Sequence, residues 1–175
     1  MEAVARIQRA PPQELHVNTP RCTDAPAPVV HPQASLKGKV TLKAGCSIGP
    51  ASVVDGGEGG IVVGNNTVLE SRVMLTNTRS TPMIIGRFSW MEDFSSVKDV
   101  PRIGDFVRVE SSAEVNNCKE LGNGTTVAAG TIVENRGIIG PHSVLYGELG
   151  TLAHDESGIM RQAGTAAANL SKASP

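Results

Sequence analysis

Aromatic side chains are scarce in this chain of 175 residues, where Phe, Trp and Tyr together make up 3% of the sequence. Conventional globular cores rely on such side chains for large buried areas. Their scarcity therefore favours a fold with a narrow interior lined by aliphatic side chains.

An excess of charge of one sign is also lacking. The net charge is -1, from 16 basic and 17 acidic residues, and no stripe of Lys and Arg stands out. Nucleic acids and anionic membranes are bound through such basic surfaces, so neither partner is expected. The apolar runs are far too short to span a membrane, and the first residues have no apolar segment typical of a signal peptide.

Cysteine is sparse as well, at Cys22, Cys46 and Cys118. An odd number of cysteines at wide spacing predicts neither a disulfide framework nor a CxxC metal site. Reduced thiols in a cytosolic protein are the simplest interpretation.

What the sequence does contain is a repeat. Four pairs of an aliphatic residue and Gly fall 18 residues apart: Ile85-Gly86, Ile103-Gly104, Leu121-Gly122 and Ile139-Gly140. Between these pairs, aliphatic residues fall every six positions, as at Val109 and Val115. Four residues after each aliphatic the side chain is usually small or β-branched, as at Ala113 and Thr125. A period of six is typical of neither a helix nor a long alternating strand.

The repeat predicts an all-β fold, a single-stranded parallel β-helix of about seven triangular coils. Each hexad would supply one short strand and one corner, with the aliphatic and the small residue pointing inward. At about 4.8 Å per coil, such a prism is roughly 34 Å long. We expect the Gly after each aliphatic to serve a corner that needs an unusual backbone conformation. The period does not determine the handedness of the coil.

The repeat also predicts how the chain is divided. The β-helix should occupy residues 28–148, where the hexads are found. Residues 1–27 contain several prolines and no repeat, and are predicted to form an irregular N-terminal arm. Residues 149–175 are predicted to be a weakly helical or disordered tail.

Two interruptions break the register of the coils. Ile48 and Val63 are 15 residues apart, and Val63 and Ile85 are 22 apart. The glycine-rich turn 55–60 and the polar loop 77–82 account for these irregular intervals. Such segments project from a β-helix as loops, either as tolerated insertions or as part of a binding face.

Histidine decides between an enzyme and a scaffold, because acyltransferases and γ-class carbonic anhydrases built on this repeat both need it. The four histidines are His16, His31, His142 and His154, and no two have the five-residue spacing of a carbonic-anhydrase ligand pair. We therefore predict a non-catalytic protein with no cofactor and no metal. The alternative is a hexapeptide-repeat acyltransferase, with His142 as its base, or a degenerate γ-class carbonic anhydrase.

Polar residues repeat at two kinds of corner. One set follows the aliphatic residue of its hexad: Glu70, Glu92 and Glu110. Coils in register would stack these like charges, which repel unless solvent, Arg72 and Arg108, or a basic partner compensates them. A solvated acidic face and a partner-binding strip are both open interpretations. A second set has residues suited to left-handed corners, which indicates a structural role: Asp99, Asn117 and Asn135.

All three phenylalanines and the single tryptophan are clustered between residues 88 and 106, at Phe88, Trp90, Phe94 and Phe106. The register places them outside the core, at outward or corner positions. Exposed aromatic clusters are typical of protein interfaces, although the loop near residues 76–82 or a terminal segment could instead cover them. The candidate partner-binding residues are these four aromatics together with Glu70, Glu92 and Glu110.

Three segments also have a specific order: GGIVVGNNTVLE at 59–70, PMIIG at 82–86 and IGDFVRVES at 103–111. In this order they resemble the dynactin subunit 6 family, small pointed-end subunits of dynactin, the cofactor of the motor dynein. The resemblance implies a left-handed β-helix and a cytoplasmic, cytoskeleton-associated subunit without enzymatic activity. It also implies a role in cargo selection, with three partners: dynactin subunit 5, dynactin subunit 4 and the pointed-end actin-related protein.

Overall fold

The computed structural model describes residues 26–134 and 136–147, and the backbone of Thr151–His154. The predicted arm is therefore described only at residues 26 and 27, and the predicted tail only at Thr151–His154. Expectations for the rest of both segments lie outside the described residues.

Twenty short strands form three sheets, which are the three faces of a triangular prism. Sheet A contains β1 (Val29–Val30), β4 (Ser47–Ile48), β7 (Val68–Leu69), β10 (Trp90–Met91), β13 (Arg108–Val109), β16 (Thr126–Val127), β19 (Ser143–Tyr146) and β20 (Thr151–His154). Sheet B contains β2 (Ser35–Lys37), β5 (Val53–Asp55), β8 (Met74–Thr76), β11 (Ser96–Lys98), β14 (Glu114–Asn116) and β17 (Ile132–Glu134). Sheet C contains β3 (Val40–Leu42), β6 (Ile61–Val63), β9 (Met83–Ile85), β12 (Arg102–Ile103), β15 (Glu120–Leu121) and β18 (Ile138–Ile139).

The chain visits sheets A, B and C in turn and winds as a left-handed β-helix. Strands β1 to β18 make six coils, and β19 begins the next. Each strand pairs in parallel with the strands one coil before and after it, so that Met91 lies between Leu69 and Val109. No helix occurs among the described residues. The predicted all-β, parallel β-helical fold is confirmed.

The core is a stack of aliphatic side chains, one from each strand. In sheet A the inward positions of successive coils include Ile48, Leu69 and Met91, and each is at most 1% exposed. The hexad residues of sheets B and C line the other two walls and are buried from the second coil onward. A coil of three short strands encloses too little space for stacked aromatic rings, which is the physical reason for their scarcity.

The small residue before many strands has a second function besides fitting the corner. The buried Ser52 hydroxyl donates a hydrogen bond to the Glu70 carbonyl of the next coil, at 2.6 Å. The Thr67 hydroxyl donates to the Gly86 carbonyl in the same way, at 2.9 Å. A buried hydroxyl without a partner would cost free energy, and these bonds also connect adjacent coils.

The glycines that follow the aliphatic residues serve close packing, so our expectation of an unusual backbone conformation there was wrong. Gly86 and Gly104 lie at the corner between sheets C and A and have no positive φ. A Cβ on Gly86 would lie 2.3 Å from the Gly104 carbonyl oxygen of the next coil. The left-handed position of this corner falls two residues later, as at Phe88 with φ 55°.

Both interruptions of the register lie at the corner between sheets B and C, and they pack against each other. The Gly59 amide donates to the Arg79 carbonyl at 3.2 Å. The buried Asn77 side-chain amide donates to the carbonyls of Gly60 and Thr81 at 2.8 and 2.9 Å. The two loops therefore form one hydrogen-bonded feature on the edge opposite sheet A.

Three corner residues were predicted to have a structural role, and the two that the structure describes have it. Asp99 and Asn117 both have positive φ, at 55° and 54°. The Asp99 carboxylate also accepts hydrogen bonds from the amide and the hydroxyl of Thr78, at 2.7 and 2.8 Å, which fixes the 77–82 loop. Asn135 lies outside the described residues.

The two ends of the prism differ. At the first coil, Val30 and Leu36 occupy inward positions but are 38% and 41% exposed. At the other end, β20 pairs with β19 in the antiparallel direction and extends sheet A by one strand. Within the described residues there is no helix long and apolar enough to cross a membrane.

Close packing of the coils predicts that Gly86→Ala destabilises the fold. The new methyl group would meet backbone rather than a flexible side chain, and overpacking of this kind costs about 1–3 kcal/mol. Gly137→Ala is the matched control, because no atom lies within 4 Å of a Cβ there and its φ is not positive. Urea denaturation followed by circular dichroism should show a loss for Gly86→Ala only; equal stability of the two variants would contradict this account.

Candidate protein interface on sheet A

The three phenylalanines and the tryptophan surround one face of the prism. Trp90 points outward from β10 in sheet A. Phe88 and Phe106 lie at the corner through which the chain enters sheet A, and Phe94 lies at the corner through which it leaves. The four side chains are between 46% and 54% exposed. The 77–82 loop is on the opposite edge of the prism and does not cover them.

Phe88 and Phe106 form one stacked pair. Their ring centroids are 5.3 Å apart and the ring planes differ by 6°. They occupy equivalent corner positions of adjacent coils, where Phe106 N–H donates to the Arg87 carbonyl at 2.8 Å. The predicted stacking of these two rings, one coil apart, is thus present.

All three phenylalanines have left-handed backbone conformations, with φ of 55°, 61° and 58° at Phe88, Phe94 and Phe106. This region costs a residue with a Cβ roughly 1–2 kcal/mol, and bulky residues are rare there. In the column of Phe88 and Phe106, the preceding and following coils have Asn66 and Gly124, which tolerate it well. The corner does not require large apolar side chains, so these exposed rings are candidates for contacts outside the fold itself.

Trp90 is held in place by its neighbours in the adjacent coils. Its indole N–H donates to the Glu70 carboxylate at 2.8 Å. The Arg108 guanidinium lies over the ring, 5.7 Å from its centroid. The indole therefore presents a fixed apolar surface, with its one polar atom already paired.

The three glutamates lie one above another at the corner after sheet A, and Glu92 and Glu110, like Glu70, make contacts within the chain. Glu92 accepts a hydrogen bond from Arg108 Nε at 2.8 Å and another from the Ser111 amide at 3.2 Å. Glu110 is 4% exposed and accepts from the Ala129 amide at 3.1 Å. Arg108 also lies 3.8 Å from Glu110, so one cation offsets two stacked carboxylates.

An ion pair at the corner between sheets C and A was not predicted from the sequence. Arg87 Nη2 lies 2.8 Å from the Asp105 carboxylate of the next coil. The hydrogen bond from the Arg87 side chain is the main reason that the pKa of Asp105 lies below its ordinary value. The two residues are 18 apart, so opposite charges at the repeat interval were the signal that could have revealed the pair.

The histidines and thiols offer no comparable site among the described residues. His31 lies in the first coil and His142 after β18, far apart along the prism, while the side chains of His16 and His154 lie outside the described residues. No group of three or more His, Cys, Asp or Glu residues is placed to hold a metal within residues 26–134 and 136–147. Burial raises the pKa of the Cys46 and Cys118 thiols, which disfavours reactive thiolates.

The backbone strain at Phe106 predicts that Phe106→Asn changes the free energy of unfolding only slightly. The variant loses stacking worth about 0.5–1.5 kcal/mol but relieves a left-handed Phe, so the free energy of unfolding should change by less than about 1 kcal/mol. Leu121→Ala in the core is the control and should lose about 2–5 kcal/mol. Chemical denaturation of both variants measures this, and a loss at Phe106→Asn as large as the control would show that the ring supports the fold.

Comparisons with known proteins give one match in sequence. No protein-family model matches the chain. Over 63 residues, 35% of this chain, the sequence is 40% identical to dynactin subunit 6 of Caenorhabditis elegans. The matched stretch spans 35% of that protein, about a third of the curated relative.

Solved structures are similar in fold. A hexapeptide transferase family protein from Anaplasma phagocytophilum superposes with a TM-score of 0.62 at 18% identity, covering 81% of this chain and 87% of that one. A putative acetyltransferase from Bacillus cereus gives a TM-score of 0.54 at 16% identity, covering 73% and 77%. At such identities the likeness shows a shared hexapeptide-repeat β-helix and nothing of the chemistry.

Proposed function

We propose that this chain is a non-catalytic structural subunit of a dynactin-type assembly and acts through protein–protein contacts. The observation that carries the proposal is the half-exposed aromatic face of sheet A, which the fold keeps at the cost of backbone strain. The local identity to a dynactin subunit supports the choice of assembly. In this role the chain would help to form the pointed end, supporting dynein-dependent transport and the selection of cargo.

The partners we propose are dynactin subunit 5, dynactin subunit 4 and the pointed-end actin-related protein, in the cytoplasm and in association with the cytoskeleton. The chemistry of the face is consistent with a protein partner. Trp90, Arg108 and Arg87 already have partners within the chain, so a protein partner need not supply partners for their polar groups on binding. Rigid aromatic side chains with a satisfied polar atom are typical of interface hot spots.

The role proposed for the three glutamates is narrower than that for the aromatics. Glu92 and Glu110 bridge adjacent coils through backbone amides and Arg108, so their charges are largely used within the chain. Glu70 positions the Trp90 indole. We propose that all three support the interface chiefly by fixing its shape.

The aromatic face yields a direct test. Trp90→Ala combined with Phe106→Ala should leave the far-ultraviolet circular dichroism spectrum unchanged and weaken binding of purified dynactin subunit 5 by at least about tenfold, as for interface hot spots. The matched control combines Met74→Ala with Ile84→Ala, because these residues are similarly exposed on sheets B and C, at 50% and 49%. Equal affinities for both double variants would rule out this face as the interface.

A transferase is the second candidate, because the similar solved structures include a hexapeptide transferase family protein. Enzymes of this repeat work as trimers with sites between subunits, whereas a structural subunit need not form one. We expect the purified chain to sediment as a species other than a trimer, to contain no stoichiometric zinc and to show no acyl transfer from acyl-CoA. A zinc-bearing or acyl-transferring trimer would establish the enzymatic alternative.

A further inference from the structure

A cleft lies at the corner between sheets A and B, next to the aromatic face. Its volume is about 370 Å³. It is lined by Pro50 and Ala51 of the second coil, by Gln33 of the coil before, and by Arg72, Asp93 and Phe94 of the next two coils. The cleft exists because the left-handed corner position holds small Ala51 in one coil and long side chains in the next two.

Three arginines of the coils form ion pairs of a kind that Arg72 does not form within the described part of the chain. Arg87, Arg102 and Arg108 each lie within 4 Å of a carboxylate on a neighbouring coil: Asp105, Glu120 and Glu92. Among the described residues, Arg72 has no such carboxylate, and its guanidinium instead lies 5.0 Å from the centroid of the Phe94 ring. Stacking on an aromatic ring fixes the guanidinium plane and leaves the edge donors available.

Backbone strain is a second observation at the same place. Arg72 and Phe94 both have left-handed conformations, with φ of 57° and 61°. The same corner has Gly130 two coils after Phe94, at φ 67°, so the conformation itself does not require a large side chain. Arg72 and Phe94 are thus two large side chains at corner positions that do not require them, and both are exposed to a partner.

Asp93 restricts what the cleft can bind. One of its carboxylate oxygens accepts the Ser71 amide at 2.8 Å, and the residue is only partly buried. A polyanion would be repelled by this carboxylate, whereas a polypeptide can bring an acidic side chain to Arg72 and a backbone N–H towards Asp93. The cleft is therefore complementary to an acidic residue within a polypeptide chain.

We propose that this cleft is a subsite of the interface that binds an Asp or Glu side chain of a protein partner, with Arg72 as the contacting cation and Phe94 as its platform. The proposal rests on the proposed function, because it assumes a protein partner on the adjacent face. Within that interface the subsite supplies specificity: the aromatic face contributes apolar area, and the Arg72 guanidinium beside it selects a partner with a carboxylate at the matching position.

The first experiment tests the subsite without any partner. The full chain, labelled with ¹⁵N at arginine, is titrated with N-acetyl-aspartate N-methylamide and, as the neutral isostere, N-acetyl-asparagine N-methylamide. The Arg72 Nε–Hε resonance should move saturably with the aspartate probe and at least about threefold less with the asparagine probe. Arg102, whose side chain is 69% exposed and already paired with Glu120, is the internal control and should move little. Equal shifts of Arg72 and Arg102, or of Arg72 with both probes, would overturn the proposal.

The second experiment uses the partner. Arg72→Gln should weaken binding of purified dynactin subunit 5 by about tenfold, while Arg102→Gln, which removes the same charge on sheet C, should change it less than about twofold. Arg72→Lys keeps the charge but not the planar stack, and should recover only part of the affinity. If the wild-type chain does not bind, the proposed function fails. If it binds and Arg72→Gln behaves as Arg102→Gln does, the subsite is refuted while the function stands.

Discussion

Hydrogen bonding between successive coils is the constraint on which the rest of this molecule depends. Each backbone segment finds its partner about one repeat away in sequence, so every side chain has a fixed neighbour above and below it. This stacking buries the aliphatic columns, which one coil alone could not cover. It also gives Gly86 its role, because the approach of the next coil leaves no room for a side chain. The same constraint aligns the outward residues in columns, so that a surface feature in one coil is next to its equivalent in the following coil.

At the corners, the stacking of coils restricts the backbone but not the choice of side chain, and most residues of the candidate interface lie there. A corner residue contributes little to the core, so its identity can vary as long as the backbone accepts a left-handed conformation. Asn66 and Gly124 meet that condition without strain, whereas Phe88, Phe94 and Phe106 meet it at a cost. The charged residues beside them follow a consistent pattern. Arg108 pairs with Glu92 and Glu110, and Arg87 pairs with Asp105, so each of these three carboxylates has a cationic partner within the chain.

Much of the fold could be predicted from the sequence because inward positions recur at a fixed interval. Ile103, Val109 and Val115 were assigned to three walls of one coil, and all are buried there. The outward position of Trp90 follows from the same register. The interval does not describe how far a side chain reaches along the prism. From the interval alone, Glu110 was expected to belong to a ladder of stacked carboxylates, but it is buried and accepts a hydrogen bond from the Ala129 amide. The cleft beside Arg72 was equally hidden, because it arises from the difference in size between Ala51 and its successors in one column.

The reversed direction of β20 has a consequence for assembly. A solenoid of similar coils has a direction, and identical molecules with matching open ends could add to one another without limit. Here each strand of the first coil begins a parallel ladder in its own sheet. At the other end, the last described strand of sheet A, β20, is antiparallel to β19. The parallel ladder of sheet A therefore cannot continue from one copy into the next. The opposite polarity of this last described strand makes the two described ends of the prism chemically distinct.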